Sequence, residues 1–315
     1  KMAVSVTDTI TAAQYNGVQS RVNTILGAGS GANGYGQAMS SGQVVAGNTI
    51  TAAQFDALRT DLNKANNHQS GADSGVGDIA AGQVIGADTS SGATTEGFND
   101  YDTATSTIET NRYSIDAGNA TVEAGITAAR TTTWNGVISH IFTADFTNAD
   151  ARRYFFNSGG EIRFSAALSG QSGAKSNDWA TMLSNMGTIT MNYTSTSASG
   201  TGTDTTIGND DLTGTYQTIF TRTGSGVYAE NDYNIAARYE GTGNKTLRFR
   251  IQFRDDDAGD QQAADAGGTD GVGTAGPAVD ESVNGNLSST IQQLRATGVN
   301  VQVATPAYTN ATALA

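Results

Sequence analysis

The stretch "DTITAAQYNGVQSRVN" fills residues 8–23, and "NTITAAQFDALRTDLN" fills residues 48–63, forty positions later. Both read as the start of an amphipathic helix. Thr11 and Thr51 suit the N-cap, where a hydroxyl accepts from an orphan backbone N–H. Gln14 and Gln54, three residues on, complete a capping box by accepting from the cap's own N–H. Ile10 with Tyr15, and Ile50 with Phe55, hold the hydrophobic-staple positions. Behind the caps, Tyr15, Val18, Val22, Ile25 and Leu26 fall on one helical face, and Phe55, Leu58 and Leu62 on another. Helices of roughly four turns are not stable alone, so each stripe needs a partner surface. Ile10, Tyr15, Val18, Val22, Ile50, Phe55, Leu58 and Leu62 are therefore the candidate packing or docking residues. Gly17 in the first copy is Ala57 in the second, which predicts a firmer second helix.

The repeat runs past the helices. "SGQVVAGNT" at 41–49 is echoed by "AGQVIGADT" at 81–89, and Phe98, Tyr101 and Ile108 carry a weaker third copy without a clear capping box. Helical units are expected near 11–26, 51–66 and 95–111, in a docking module over 1–130. From 131 to 315 the period changes to two. "EIRFSAAL", "TITMNYT", "YNIAARYE" and "LRFRIQF" alternate apolar and polar residues, the mark of strands with one buried face. The last two flank "GTGNK" with both apolar sets on odd numbers, so their loop must be odd, about three or five residues, placing Glu240 near Arg248. Short helices are expected at 148–156 and 176–186, the second with Trp179, Met182, Leu183 and Met186 in its stripe. Trp134 should anchor the start of the sheets. Asp255 to Gly285 reads as a long Asp/Gly-rich loop. "NLSSTIQQLRATGVNVQV" reads as two strands around Gly298, and the tail after Pro306 as loose or docked on another subunit. The fold class is α+β: a small helical repeat module, then a mainly antiparallel sandwich or jelly-roll-like domain.

Composition narrows the function. Net charge is −13, and both halves are acidic. Nucleic-acid binding needs clustered Lys and Arg; Arg152–Arg153 and Arg248, Arg250, Arg254 are the nearest approach, and the latter row reads as a solvated sheet face. There is no cysteine, so no disulfide framework or thiolate metal site. No apolar run approaches a membrane span, and no charged n-region with an apolar h-region opens the chain, so folding in a cytoplasm is expected. His68 reads as exposed beyond a helix end, and His140 as a buried or edge strand residue. No "GxSxG" occurs, and no carboxylate pair stands out for glycoside cleavage. "GAGSGANGYG" follows a helix and lacks "GK[ST]", so its glycines read as turns, not a phosphate cradle. Asp255, Asp256, Asp257 and Asp260 are the metal candidates, calcium being the ion they suit, although EF-hand spacing is absent. No catalytic residue and no organic cofactor is predicted.

"ITAAQFDALRTDLNKANNHQSG", "ADARRYFFNSGGEIRFSAALSG" and "NGNLSSTIQQLRATGVNVQVATPAY" resemble stretches of virion structural proteins of tailed bacteriophages, large marine myophages especially. The resemblance implies a non-enzymatic component of the tail, neck, an appendage or the capsid surface. Its partners would be copies of itself and other virion proteins, in a particle assembled in the host cytoplasm. A host-surface glycan-binding module, an adhesin or lectin-like sandwich, is the alternative.

Overall fold

The computed structural model describes residues 4–5, 8–82, 85–87, 97–257 and 281–314. It has the expected α+β architecture, helices first and two antiparallel sheets after. Contacts divide the chain into two compact units that do not follow the linear boundary at 130. The first takes Lys1–Glu123, Phe146–Glu161 and Leu294–Thr305; the second takes Ala124–Asp145, Ile162–Gln293 and Pro306–Ala315.

The first unit is built on α1 (Ala12–Leu26), α2 (Ala52–Ser70) and α3 (Phe98–Thr110). Both capping boxes form. Gln14 Oε1 accepts from Thr11 N–H at 2.8 Å and Gln54 Oε1 from Thr51 N–H at 2.7 Å, while each threonine hydroxyl accepts from the N3 backbone at 3.3 Å. The third copy keeps half of the device. Asp100 accepts from Gly97 N–H at 2.9 Å, and glycine has no side chain to return the bond. The three stripes pack on one another. The Phe55 ring lies 5.4 Å edge-on from Tyr15, 5.4 Å from Tyr101 and 6.4 Å from Phe98. The Tyr15 hydroxyl donates to the Gln54 carbonyl at 2.8 Å, tying the first helix to the entrance of the second. Arg21 crosses to α3, where Asp102 accepts at 2.5 Å and Glu109 at 2.6 and 2.8 Å.

The same unit includes α4 (Ala149–Asn157), which pins the glycine-rich segment after α1. Arg153 donates to the carbonyls of Asn33 at 2.5 Å and Ala28 at 2.8 Å. Gly36 has φ +73°, and a Cβ there would run into the Tyr154 ring. Close approach and positive φ explain this glycine without any phosphate.

The second unit holds most of two sheets, of which one, whose strands β1, β3 and β9 begin or end in the first unit, has the order β1-β9-β3-β4-β5: β1 (Ala120–Arg130), β9 (Asn286–Ala296), β3 (Glu161–Ser169), β4 (Ile189–Met191) and β5 (Thr196–Ala198). The other has the order β10-β2-β8-β7-β6: β10 (Ala307–Leu314), β2 (Gly136–Asp145), β8 (Thr246–Asp255), β7 (Asp232–Glu240) and β6 (Gln217–Thr223). The sheets meet face to face. Phe164 of β3 lies 4.9 Å from Phe249 of β8, and His140 of β2 bonds Ser289 of β9. Helix α5 (Ala174–Met186) buries Trp179, Met182, Leu183 and Met186 as its spacing predicts. Trp134 is buried against Trp179 at 6.1 Å and bridges Val283. The β7–β8 pairing sets Glu240 opposite Thr246, so the loop is the five-residue alternative, and Glu240 pairs diagonally with Arg248 at 3.3 Å.

Two expectations near the C-terminal end fail. Residues 299–303 form no strand beyond a bridge at Gln302, and Val299 is 90% exposed while Val301 and Val303 are buried. The tail read as loose is β10, antiparallel to β2 of the same chain. A Thr/Ala-rich strand has little apolar alternation to reveal it, yet it can still supply the ladder bonds that cover β2. The Asp/Gly-rich stretch expected at 255–285 lies mostly outside the described residues; Asp255 closes β8.

Candidate functional site

Tyr15, Val18, Val22, Phe55, Leu58 and Leu62 are all fully buried. Their packing role is as expected, but the docking role assigned to them is corrected: the helices cover one another's stripes, so this apolar surface is not available to an outside partner. Ile10 and Ile50 are half-buried and do something else. With Phe55 and Ile85 they give the apolar part of a cleft of about 500 Å³, whose polar members are Asp8, Thr9, Asn48 and Thr49. The entrances of both repeat copies thus line one cavity. The capping boxes already satisfy N–H groups at both helix starts, which weakens the case for an anion there.

The metal candidates separate. Asp255 and Asp257 both face the ammonium of Lys175, with N···O distances of 3.2 Å; the cation between them is a side chain. Asp256 pairs with Arg254 at 3.1 Å. Asp260 lies outside the described residues. Among the described residues no group of three or more His, Cys, Asp or Glu is arranged to hold an ion, and no helix is long and apolar enough to cross a membrane.

His68 is not exposed. Helix α2 runs to Ser70, which carries His68 inside, where Nε2 donates to the Ser158 carbonyl at 3.0 Å and the ring meets Tyr35 at 5.0 Å. Burial pulls its pKa down to about 4, against a smaller upward effect of the Ser158 bond. His140 is also buried, with Nδ1 2.8 Å from the Ser289 hydroxyl. Burial first, then the nearby positive charge of Arg130, lowers its pKa to about 4. Both rings are therefore neutral near pH 7.

The arginine row forms the most distinctive surface. Even-numbered residues of β8 oppose the buried odd ones, so Arg248, Arg250 and Arg254 share the outer face of their sheet, and Arg238 of β7 stands directly opposite Arg248. Like charges in register repel; Glu240 relieves them by pairing with both Arg238 and Arg248. Arg254 pairs with Asp232 and Asp256, each at 3.1 Å. Tyr216, which the sequence reading passed over, lies with its ring centroid 4.6 Å from the guanidinium carbons of both Arg238 and Arg250. Arg238 was also passed over, although it sits at a polar position in the alternation of "YNIAARYE". Three carboxylates offset most of the charge of the four arginines, unlike a phosphate-binding patch. No protein family, no curated protein and no solved structure matches this chain.

Proposed function

We propose that this protein is a non-enzymatic structural component of a tailed-phage particle, working by contact with copies of itself or with neighbouring virion proteins. The arginine–tyrosine sheet face carries this reading. Arg and Tyr are enriched at protein interfaces, where they combine contact area with directional bonds. Here Tyr216 stacks with Arg238 and Arg250, and Glu240 holds Arg238 and Arg248, so part of the ordering cost of binding is met before a partner arrives. The resemblance of the quoted stretches to virion proteins supplies the setting, a particle built in the host cytoplasm.

Solution mass and particle labelling test the proposal together. The expected outcome is an oligomer that Tyr216→Ala weakens, and gold-labelled antibody bound to intact particles. A strict monomer, absent from purified particles, would sink it. Host-glycan recognition is the second reading, because the same tyrosine and arginines suit an acidic sugar. Glycan arrays with and without chelator should then give a signal that Tyr216→Ala removes; silence in both counts against it.

A further inference from the structure

The unused chemistry lies inside the β-rich unit. Lys175, in the first turn of α5, is 1% exposed. Its Nζ is 3.2 Å from Asp255 Oδ1 and 3.2 Å from Asp257 Oδ2, on side chains 0% and 6% exposed. The same Nζ donates to the Asp257 carbonyl at 3.2 Å. Asn231, fully buried, accepts from Asp257 N–H at 3.1 Å and fixes the third member. Aromatic residues flank the group along both elements: Trp179, one turn after Lys175, lies 6.1 Å from Phe253, two residues before Asp255, and Tyr233 lies 5.2 Å from Phe253. A dry ion pair is a poor way to stabilise a core, since desolvation costs as much as attraction returns. An amine fixed beside two buried carboxyls is instead arranged for condensation.

We infer that Lys175 and Asp255 form an intramolecular amide bond, with Asp257 as the proton carrier. The ammonium gives one proton to the Asp255 carboxylate, leaving a neutral amine and a neutral carboxyl, while Asp257, which has received none, carries the remaining negative charge. Nζ attacks Cγ of Asp255, and the N–C bond forms. Asp257 takes a proton from the nitrogen and returns one to the departing oxygen. The C–O bond breaks, one water leaves, Asp257 ends as it began, and no oxidant or reductant takes part. Fixed approach removes most of the entropic barrier, and water exclusion favours the condensed product. Asp255 is the acceptor because it is held on a strand and fully buried. Asp257 is the more exposed of the two carboxylates, at 6% against 0%. The inference stands on this triad alone and is independent of the proposed function.

Mass spectrometry of the full chain, folded and then denatured, tests it. The expected mass is one water, about 18 Da, below the sequence mass, with a branched tryptic peptide joining Lys175 to Asp255. Lys175→Arg keeps a cation but no attacking amine, and should restore the full mass for its own sequence. Asp257→Asn should slow condensation on the order of a hundredfold, with circular dichroism confirming that the variant folds. An unmodified wild-type mass overturns the inference, as does a water loss mapped to a succinimide elsewhere. A branched peptide ending at Asp257, or an unchanged rate in Asp257→Asn, overturns the assignment of roles.

Discussion

At the scale of single residues, the two histidines make stability depend on pH. Each ionises near 4 in the fold and near 6.5 when unfolded. Between those values the unfolded chain binds more protons, so their contribution is complete above about pH 6.5 and is lost as pH falls towards 4. The loss should be about 1–3 kcal/mol per histidine. Urea midpoints from pH 7 to 4 check this, and His140→Leu should remove part of the slope; an unchanged slope would refute the assignment. Arg21 is a second such residue. Arg21→Met leaves Asp102 buried without its cation, and should cost about 3–5 kcal/mol in urea unfolding. His68 was legible in principle. It falls in phase with Leu58, Leu62 and Ala65, and only the polar run "NNHQS" hid the extra turn of helix. Tyr216 was not legible, because "TGTYQ" has no period to place its ring.

Among elements, the repeated helix start makes the clearest predictions. Thr51→Ala removes the acceptor for the N3 amide, and should lower the melting free energy by about 1 kcal/mol. Phe55→Ala opens a cavity where three helices meet, and should cost about 3–5 kcal/mol. Hydrogen exchange should be slower in α2 than in α1, since α2 is longer, ends in an αL Gly71 and has Ala57 where α1 has Gly17; equal protection would count against it. Elements with strong alternation or a capping box were legible from sequence, down to the register of Glu240 near Arg248. Strands β1 and β10 were not. "ATVEAGITAAR" and "AYTNATAL" are built from small and polar residues, and what places them is pairing with distant strands rather than their own pattern. The "VNVQV" run failed the other way, showing alternation without a ladder to join.

For the whole molecule, β10 is an edge strand whose removal should matter more than its composition suggests. A chain ending at Pro306 would expose the ladder groups of β2, and light scattering should show aggregation that the full chain resists. The two interleaved units carry a temporal consequence. The helical unit draws on residues 146–161 and 294–305 as well as its first 123. A ribosome adding about 5–20 residues per second therefore needs on the order of 10–40 s after Glu123 to supply the last of them. During that interval the glycine-rich segment after α1 must first wait for Arg153 and Tyr154 of α4. Nascent chains stalled before residue 146 should be cut by protease between Gly27 and Gly36, and chains released at full length should not.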